Sequence, residues 1–409
     1  MPQISARARR IPPSPIRKLV PLADRAKRAG KKIYHLNIGQ PDIPTPKEFL
    51  EGYYHAPEIL AYSPSPGYEE AREALVRYYR RFGIALDKSQ IIVTVGGSEA
   101  VTFALLAVLD PGDEVIIPEP FYGPYNGYAE IAAGEIVPLT TRAADGFRLP
   151  AREEIEERIT ERTRAILITN PGNPTGVVYS RAELEELSRI VREHDLFLIS
   201  DEVYREFIYD GLEHTSVLQL PDLEEQAILV DSISKRFSAC GARIGAIASR
   251  NEEVMGAAMR LAQTRLSPPT AGQLGLTCYL NSPAYPRKTE EMIAEFRARR
   301  DLLYEELRKI PGVRCVKPQG AFYVMAELPL ADAEEFAAWL LTDFERDGET
   351  VMVAPGGGFY KTPGLGRNEV RIAYVLRRED LKRALWLLEE ALAEYATVWA
   401  ERGEAASRA

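Results

Sequence analysis

The chain of 409 residues has only three cysteines, no apolar run of bilayer length and no surplus of positive charge. Cys240, Cys278 and Cys315 lie far apart and without metal-type spacing. That excludes a disulfide framework and points to reduced thiols in a cytoplasmic protein, with no metal site expected. The missing apolar run excludes a membrane-spanning helix, so no membrane partner is expected. Lys and Arg number 51 against 60 Asp and Glu, a net charge of −9, which argues against nucleic acid as the main partner. No internal repeat and no low-complexity linker interrupts the chain. The basic stretch Arg7, Arg9, Arg10, Arg17 and Lys18 is not followed by an apolar core and a small-residue cleavage site, against a transit peptide. Instead Ile16–Ala29 reads as an amphipathic helix, with Leu19, Leu22, Ala23 and Ala26 at helical spacing.

What is present is a large globular chain, 45% hydrophobic, long enough for two domains. Between Gln90 and Ser249 one rhythm recurs: short apolar run, turn, amphipathic helix. The expected strands are Ile91–Val95, Glu114–Pro118, Glu135–Leu139, Ala165–Thr169, Leu196–Ser200, Ile228–Ser232 and Ile244–Ser249. Their runs lack clean alternation, as in strands covered on both faces. Helices such as Arg181–His194 fit between them, which gives an α/β fold with a mainly parallel seven-stranded sheet. After Pro286 the rhythm changes to a long helix, Thr289–Lys309, and short strands at Arg314–Val316, Ala321–Glu327, Val351–Ala354 and Glu369–Tyr374. This reads as a smaller α+β domain, residues 1–45 with 285–409, beside a large domain of residues 46–284. The tail from Glu401 to Ala409 is expected to fray.

Lys235 carries the most information. It ends the apolar pattern Ala227–Lys235 and precedes a small-residue segment that holds Arg243. An amine so placed can form a Schiff base, and an arginine eight residues on can hold a phosphate. The pair suggests covalently bound pyridoxal 5′-phosphate (PLP); a surface lysine after a strand is the alternative. Four constellations favour the first reading. Val95–Ala100 runs from a strand through Gly96 and Gly97 into a helix, a place for an anion, or simply a helix capped by Ser98. It lacks full dinucleotide or P-loop spacing. Thr169–Gly176 contains two Asn-Pro units, so Asn173 could serve a ring hydroxyl and a carboxylate, or the segment is a tight surface turn. Asp201, at a strand end, could pair with a protonated ring nitrogen, or cap a helix. Tyr204 could donate to the ring oxygen, or be a core aromatic. Arg371, mid-strand, could grip a carboxylate as a fork, or lie exposed.

From Ile16 to about Ala393 the sequence resembles the fold-type I, PLP-dependent aminotransferases of class I and II. The segments that carry the resemblance are Leu36–Asp42, Tyr62–Gly67, Gly96–Ser98, Asn170–Gly176, Asp201–Tyr204, Ser232–Lys235 with Arg243, and Arg371. The resemblance implies that Lys235 is the cofactor lysine and proton shuttle. Asp201 pairs with the pyridine nitrogen, and Tyr204 and Asn173 bind the ring oxygen. Gly97, Ser98, Glu99, Ser232 and Arg243 hold the phosphate. Tyr122, in Glu119–Gly123, stands where related enzymes often stack a tryptophan on the ring. Arg371 takes the substrate α-carboxylate and Gly39 lines that end. Tyr62 reaches the phosphate of a neighbouring subunit, so a homodimer with shared active sites is expected.

The expected reaction moves an amino group from an L-amino acid to a 2-oxo acid by a ping-pong course. Aspartate with 2-oxoglutarate comes first, with Arg265 as the candidate reader of a side-chain carboxylate. Aromatic or methionine donors come next, since Phe359, Tyr360 and Tyr122 could form an apolar pocket. A PLP-dependent C–S β-lyase shares most of these motifs. A non-catalytic regulatory protein on the same fold would carry an appended DNA-binding domain, for which the N-terminal segment is short.

Overall fold

The computed structural model describes residues 2–14 and 17–408, with side chains described as far as residue 397. In chain order the strands are β1 (Lys32–His35), β2 (Ile91–Val95), β3 (Glu114–Glu119), β4 (Glu135–Thr140), β5 (Thr163–Thr169), β6 (Phe197–Asp201), β7 (Ala227–Ser232), β8 (Ile244–Ala248), β9 (Arg314–Cys315), β10 (Tyr323–Glu327), β11 (Glu349–Met352), β12 (Ala354–Pro355) and β13 (Glu369–Ala373). One sheet contains β2 to β8, in the order β2-β8-β7-β6-β5-β3-β4. These are the seven segments expected from the apolar runs. Every residue of β3 and of β7 is buried, as strands covered on both faces require.

Strand β8 runs antiparallel to both β2 and β7, while the other pairings are parallel. The reversal has a consequence for the site. The carboxyl ends of β2, β7, β6, β5 and β3 lie along one edge of the sheet, together with the amino end of β8. Side chains just beyond those ends therefore converge. Helices cover both faces, so apolar clusters form on each side of the sheet. The helix Arg181–Glu193 starts at a reciprocal cap between Ser180 and Glu183, and buries Leu184, Leu187, Ile190 and Val191 at helical spacing.

A second core lies in the four-stranded sheet β12-β13-β10-β9, the parallel pair β1-β11, and the helices Arg287–Leu307 and Arg378–Arg408. Tyr204, Phe207 and Tyr209, which follow β6, insert their rings into this core. On these cores we propose the division expected above, residues 46–284 against residues 1–45 with 285–409. One departure is the short helix Ala6–Arg10, which packs on the helix Tyr125–Ile131 of the larger unit through Arg10 and Glu130 at 3.0 Å.

Strand β7 ends at Ser232, as the strand reading expects, so the apolar pattern that runs on to Lys235 is not strand over its last three residues. Lys235 sits in the turn that follows. The helix expected over Ile16–Ala29 spans Val20–Arg28, with Ile16 itself outside the described residues. The backbone expected to fray from Glu401 stays helical to Arg408, in a segment with no proline and many helix formers; Ala409 lies outside the described residues.

Candidate active site

The edge of the large sheet gathers most of the residues singled out above. Lys235 Nζ donates to Gly39 O at 2.7 Å and lies 4.0 Å from Cys240 Sγ. Its turn is anchored from below by a buried ionic cluster. Asp231 accepts from Arg236 at 2.6 and 3.1 Å, from Arg205 at 3.3 Å and from Tyr79 Oη at 2.8 Å. Those guanidinium groups hold the Asp231 carboxyl low despite its burial. Such a cluster fixes the strand end in one geometry.

Asp201 ends β6 and caps no helix. Its Oδ2 accepts from Tyr125 Oη at 2.8 Å and its Oδ1 from Val203 N at 3.3 Å. Burial still dominates and pushes the Asp201 carboxyl up to about 6, above its usual range. A cation at this carboxylate would relieve that penalty. Tyr204 is buried in the second core, and its hydroxyl bonds that of Tyr323 at 2.8 Å. The core-aromatic alternative for Tyr204 therefore holds for its ring, while its hydroxyl meets that of Tyr323.

Arg371 is buried, 1% exposed, which removes the reading of an exposed strand arginine. It donates to Asn173 Oδ1 at 3.1 Å and to Asn37 O at 2.6 Å. Tyr323 and Phe359 flank the guanidinium, at 4.5 and 4.9 Å from their ring centroids. Its Nε has no hydrogen-bond partner, and no ion pair to Arg371 occurs among the described residues. Burial lowers its pKa, but the group remains charged. A buried cation without an anion is a strong demand for one, since leaving a charge unpaired costs several kcal/mol, on the order of 3–5. Asn173 spends its oxygen on Arg371, so its amide nitrogen is the end left to donate.

The phosphate-type turn is also built as a cradle. Gly96 has φ +72°, and a Cβ there would stand 2.4 Å from Arg243 Nη2. At Gly97 a Cβ would approach Ser232 Cβ to 3.4 Å. The helix Gly96–Val108 begins here with Val95 as its cap residue and no side-chain cap, so Ser98 is not the cap but the third helical residue. The first amides of an uncapped helix lack intrahelical partners, and here they start beside Ser232 and Arg243. Arg243 is exposed and makes no ion pair among the described residues; it donates to Cys240 O at 3.1 Å. Ser232 Oγ shares a 2.8 Å hydrogen bond with Ser234 Oγ, a neighbour the sequence reading missed.

Two predicted residues find partners elsewhere. Glu99 Oε2 turns back to accept from Val95 N at 2.8 Å. Its other oxygen lies 3.4 Å from Arg265 Nε, and Arg265 also donates to Ser65 O and Val93 O at 3.3 and 3.1 Å. Within its own chain Arg265 therefore ties Glu99 to the Pro-rich turn before β2. Tyr62, in that turn, is 80% exposed, as are Tyr54 and Ile59, with Leu60 and Leu266 also prominent. Tyr122 is half-buried, edge-on to Tyr125 with ring centroids 5.5 Å apart. Tyr125 and Tyr323 also escaped the sequence reading. Only helical spacing from Tyr122 could have flagged Tyr125, and nothing local flags Tyr323.

The group these residues would fit is PLP. A buried guanidinium without an ion pair, a glycine cradle at a helix start beside an exposed arginine, an amine in the turn after a strand, and a buried carboxylate would suit its substrate, phosphate, aldehyde and ring nitrogen in turn. Among the described residues no set of His, Cys, Asp and Glu is placed to hold a metal, and no helix is long and apolar enough to cross a membrane.

Comparison with known proteins agrees with this chemistry. The family model for aminotransferase class I and II matches residues 31–387. The aspartate aminotransferase of Bacillus subtilis (strain 168) is 34% identical over 395 residues, covering 94% of this chain and 97% of its own length. The aspartate/prephenate aminotransferase of Thermus thermophilus is 36% identical over 367 residues, or 88% of this chain and 91% of that protein. Among solved structures, the aspartate aminotransferase from Thermus thermophilus with maleate superposes with a TM-score of 0.86 at 34% identity, over 96% of this chain and 100% of that one.

Proposed function

The chain belongs to the class I and II aminotransferases, and from that premise we propose how it works: as a PLP enzyme that passes the amino group of an L-amino acid, aspartate first, to a 2-oxo acid such as 2-oxoglutarate. Members of this family use PLP. When bound, PLP supplies an electron sink that makes the substrate Cα proton acidic. The chain's residues do the rest. Arg371 binds the α-carboxylate as a fork, held flat between Tyr323 and Phe359. Lys235 Nζ would hold the cofactor and, once free of it, would carry the proton from the substrate Cα to the cofactor's aldehyde carbon C4′. Asp201 keeps a negative charge for the ring nitrogen, while Tyr204 and Asn173 donate to the ring oxygen. Gly97, Ser98, Ser232 and Arg243 receive the phosphate; Glu99 acts from behind by bracing the turn. Tyr122 covers the ring.

The observation that carries this reading is the buried, unpaired Arg371 bonded to Asn173. It sets a carboxylate beside a residue that also belongs to the ring-oxygen end of the site. The exposed apolar side chains Tyr54, Ile59, Leu60 and Tyr62 support a homodimer that shares its sites. A net charge of −9 and three scattered cysteines suit a cytoplasmic enzyme. The test is a half-reaction. Mixed with aspartate alone, the loaded protein should lose its visible cofactor band once and stop. Adding 2-oxoglutarate should restore the band and release glutamate without ammonia. Ammonia release with no acceptor would overturn the transfer reading in favour of elimination.

A further inference from the structure

Tyr323 occupies a position between three parts of the site. It opens β10 in the smaller unit and is 2% exposed. Its hydroxyl lies 2.8 Å from that of Tyr204, which follows β6 in the larger unit. The two rings meet nearly at right angles, 87° with centroids 5.6 Å apart, so the contact is fixed by packing as well as by the hydrogen bond. The same ring flanks the Arg371 guanidinium at 4.5 Å. A Cβ at residue 39 would stand 1.8 Å from the Tyr323 hydroxyl oxygen, so only Gly39 leaves it room. The carbonyl of Gly39 is the acceptor of Lys235 Nζ.

We propose that Tyr323 is a positioning residue whose hydroxyl donates to that of Tyr204, and so sets how strongly Tyr204 donates to the cofactor's ring oxygen. This rests on the reading of Tyr204 given above. A phenol has one hydrogen and two lone pairs. If Tyr204 commits its hydrogen to the ring oxygen, it can only accept from Tyr323. A donor that itself accepts a hydrogen bond donates more strongly. Donation to the ring oxygen stabilises negative charge there. That weakens the oxygen's hold on the proton of the nitrogen joining Lys235 to the cofactor. Weaker donation therefore raises the pH at which that nitrogen loses its proton and the visible band changes.

The experiment is a pH titration of the visible band in substrate-free holoenzyme for the parent, Y204F, Y323F and the double variant. Phe keeps both rings, so packing on Arg371 and Gly39 is preserved. Removing the direct donor in Y204F should raise the midpoint by about one pH unit, and Y323F by about half of that, in the same direction. The double variant should match Y204F, because Tyr323 acts only through Tyr204. A Y323F midpoint equal to the parent's, or a Y323F shift that persists undiminished on the Y204F background, overturns the proposal while leaving the cofactor reading intact. No shift in Y204F overturns the reading on which the proposal stands.

Discussion

The guanidinium of Arg371 shows what a single residue contributes. Its fork is bonded at two positions, its Nε is free, and two rings hold its plane. Lysine offers a point charge with no plane to stack. In R371K, kcat/KM should fall about 10-fold or more for every amino donor alike, the scale of one charge-assisted hydrogen bond. A donor panel checks this, and a loss confined to acidic donors would make Arg371 a side-chain reader. Asp201 gives a pH signature. Burial holds its folded pKa at about 6 in the cofactor-free protein, above the unfolded value of about 3.9. A group raised in this way favours the folded state most below the unfolded pKa, and loses that advantage as pH rises through the folded one. Cofactor-free D201N lacks the effect. The stability of the parent relative to D201N should therefore fall by roughly 2 kcal/mol between pH 4 and pH 7. Denaturant titrations at those pH values test it, and a difference that stays flat or grows with pH would contradict it.

At the scale of elements, the unit that matters is β2, its glycine turn and the helix Gly96–Val108. Arg265, at the end of the helix Glu252–Arg265, braces this unit through Glu99 and the carbonyls of Ser65 and Val93. R265A should lower turnover of acidic and aromatic donors alike, by about 3- to 10-fold, as expected for a partly exposed ion pair with two carbonyl contacts. Loss restricted to aspartate and glutamate would instead show that Arg265 meets a side-chain carboxylate. The elements also mark where sequence reading succeeds. Strands such as β3 and β7 announce themselves because burial on both faces demands unbroken apolar runs. Lys235, Asp201 and the glycine turn were legible because each follows such a run directly. The antiparallel course of β8 was not, since an apolar run carries no direction. Nor were Tyr125 and Tyr323, whose hydroxyls meet Asp201 and Tyr204 across 76 and 119 residues of chain. An aromatic in an apolar segment reads as core until its hydroxyl's partner is known. The contact of Arg265 with Glu99 was not legible for a related reason, because the two are far apart in sequence.

On the scale of the whole molecule, the sheet edge holds everything proposed for the cofactor except Tyr62, whose side chain points into solvent within its own chain. If a second copy receives it, defects in Lys235 and Tyr62 must complement. Mixing K235A chains with Y62A chains should restore activity, because one of the two sites in the mixed dimer is then free of both substitutions. With even exchange, half the dimers are mixed and each carries one intact site, so about one quarter of parental activity should return. No recovery after proven exchange would place Tyr62 in its own chain's site. One amine, Lys235 Nζ in the turn after β7, decides the proposed chemistry. Borohydride reduction of the PLP-loaded protein, followed by proteolysis and mass mapping, locates the cofactor's attachment directly. The label should appear on Lys235 alone; a label on any other lysine, or loaded protein that takes none, would contradict the assignment.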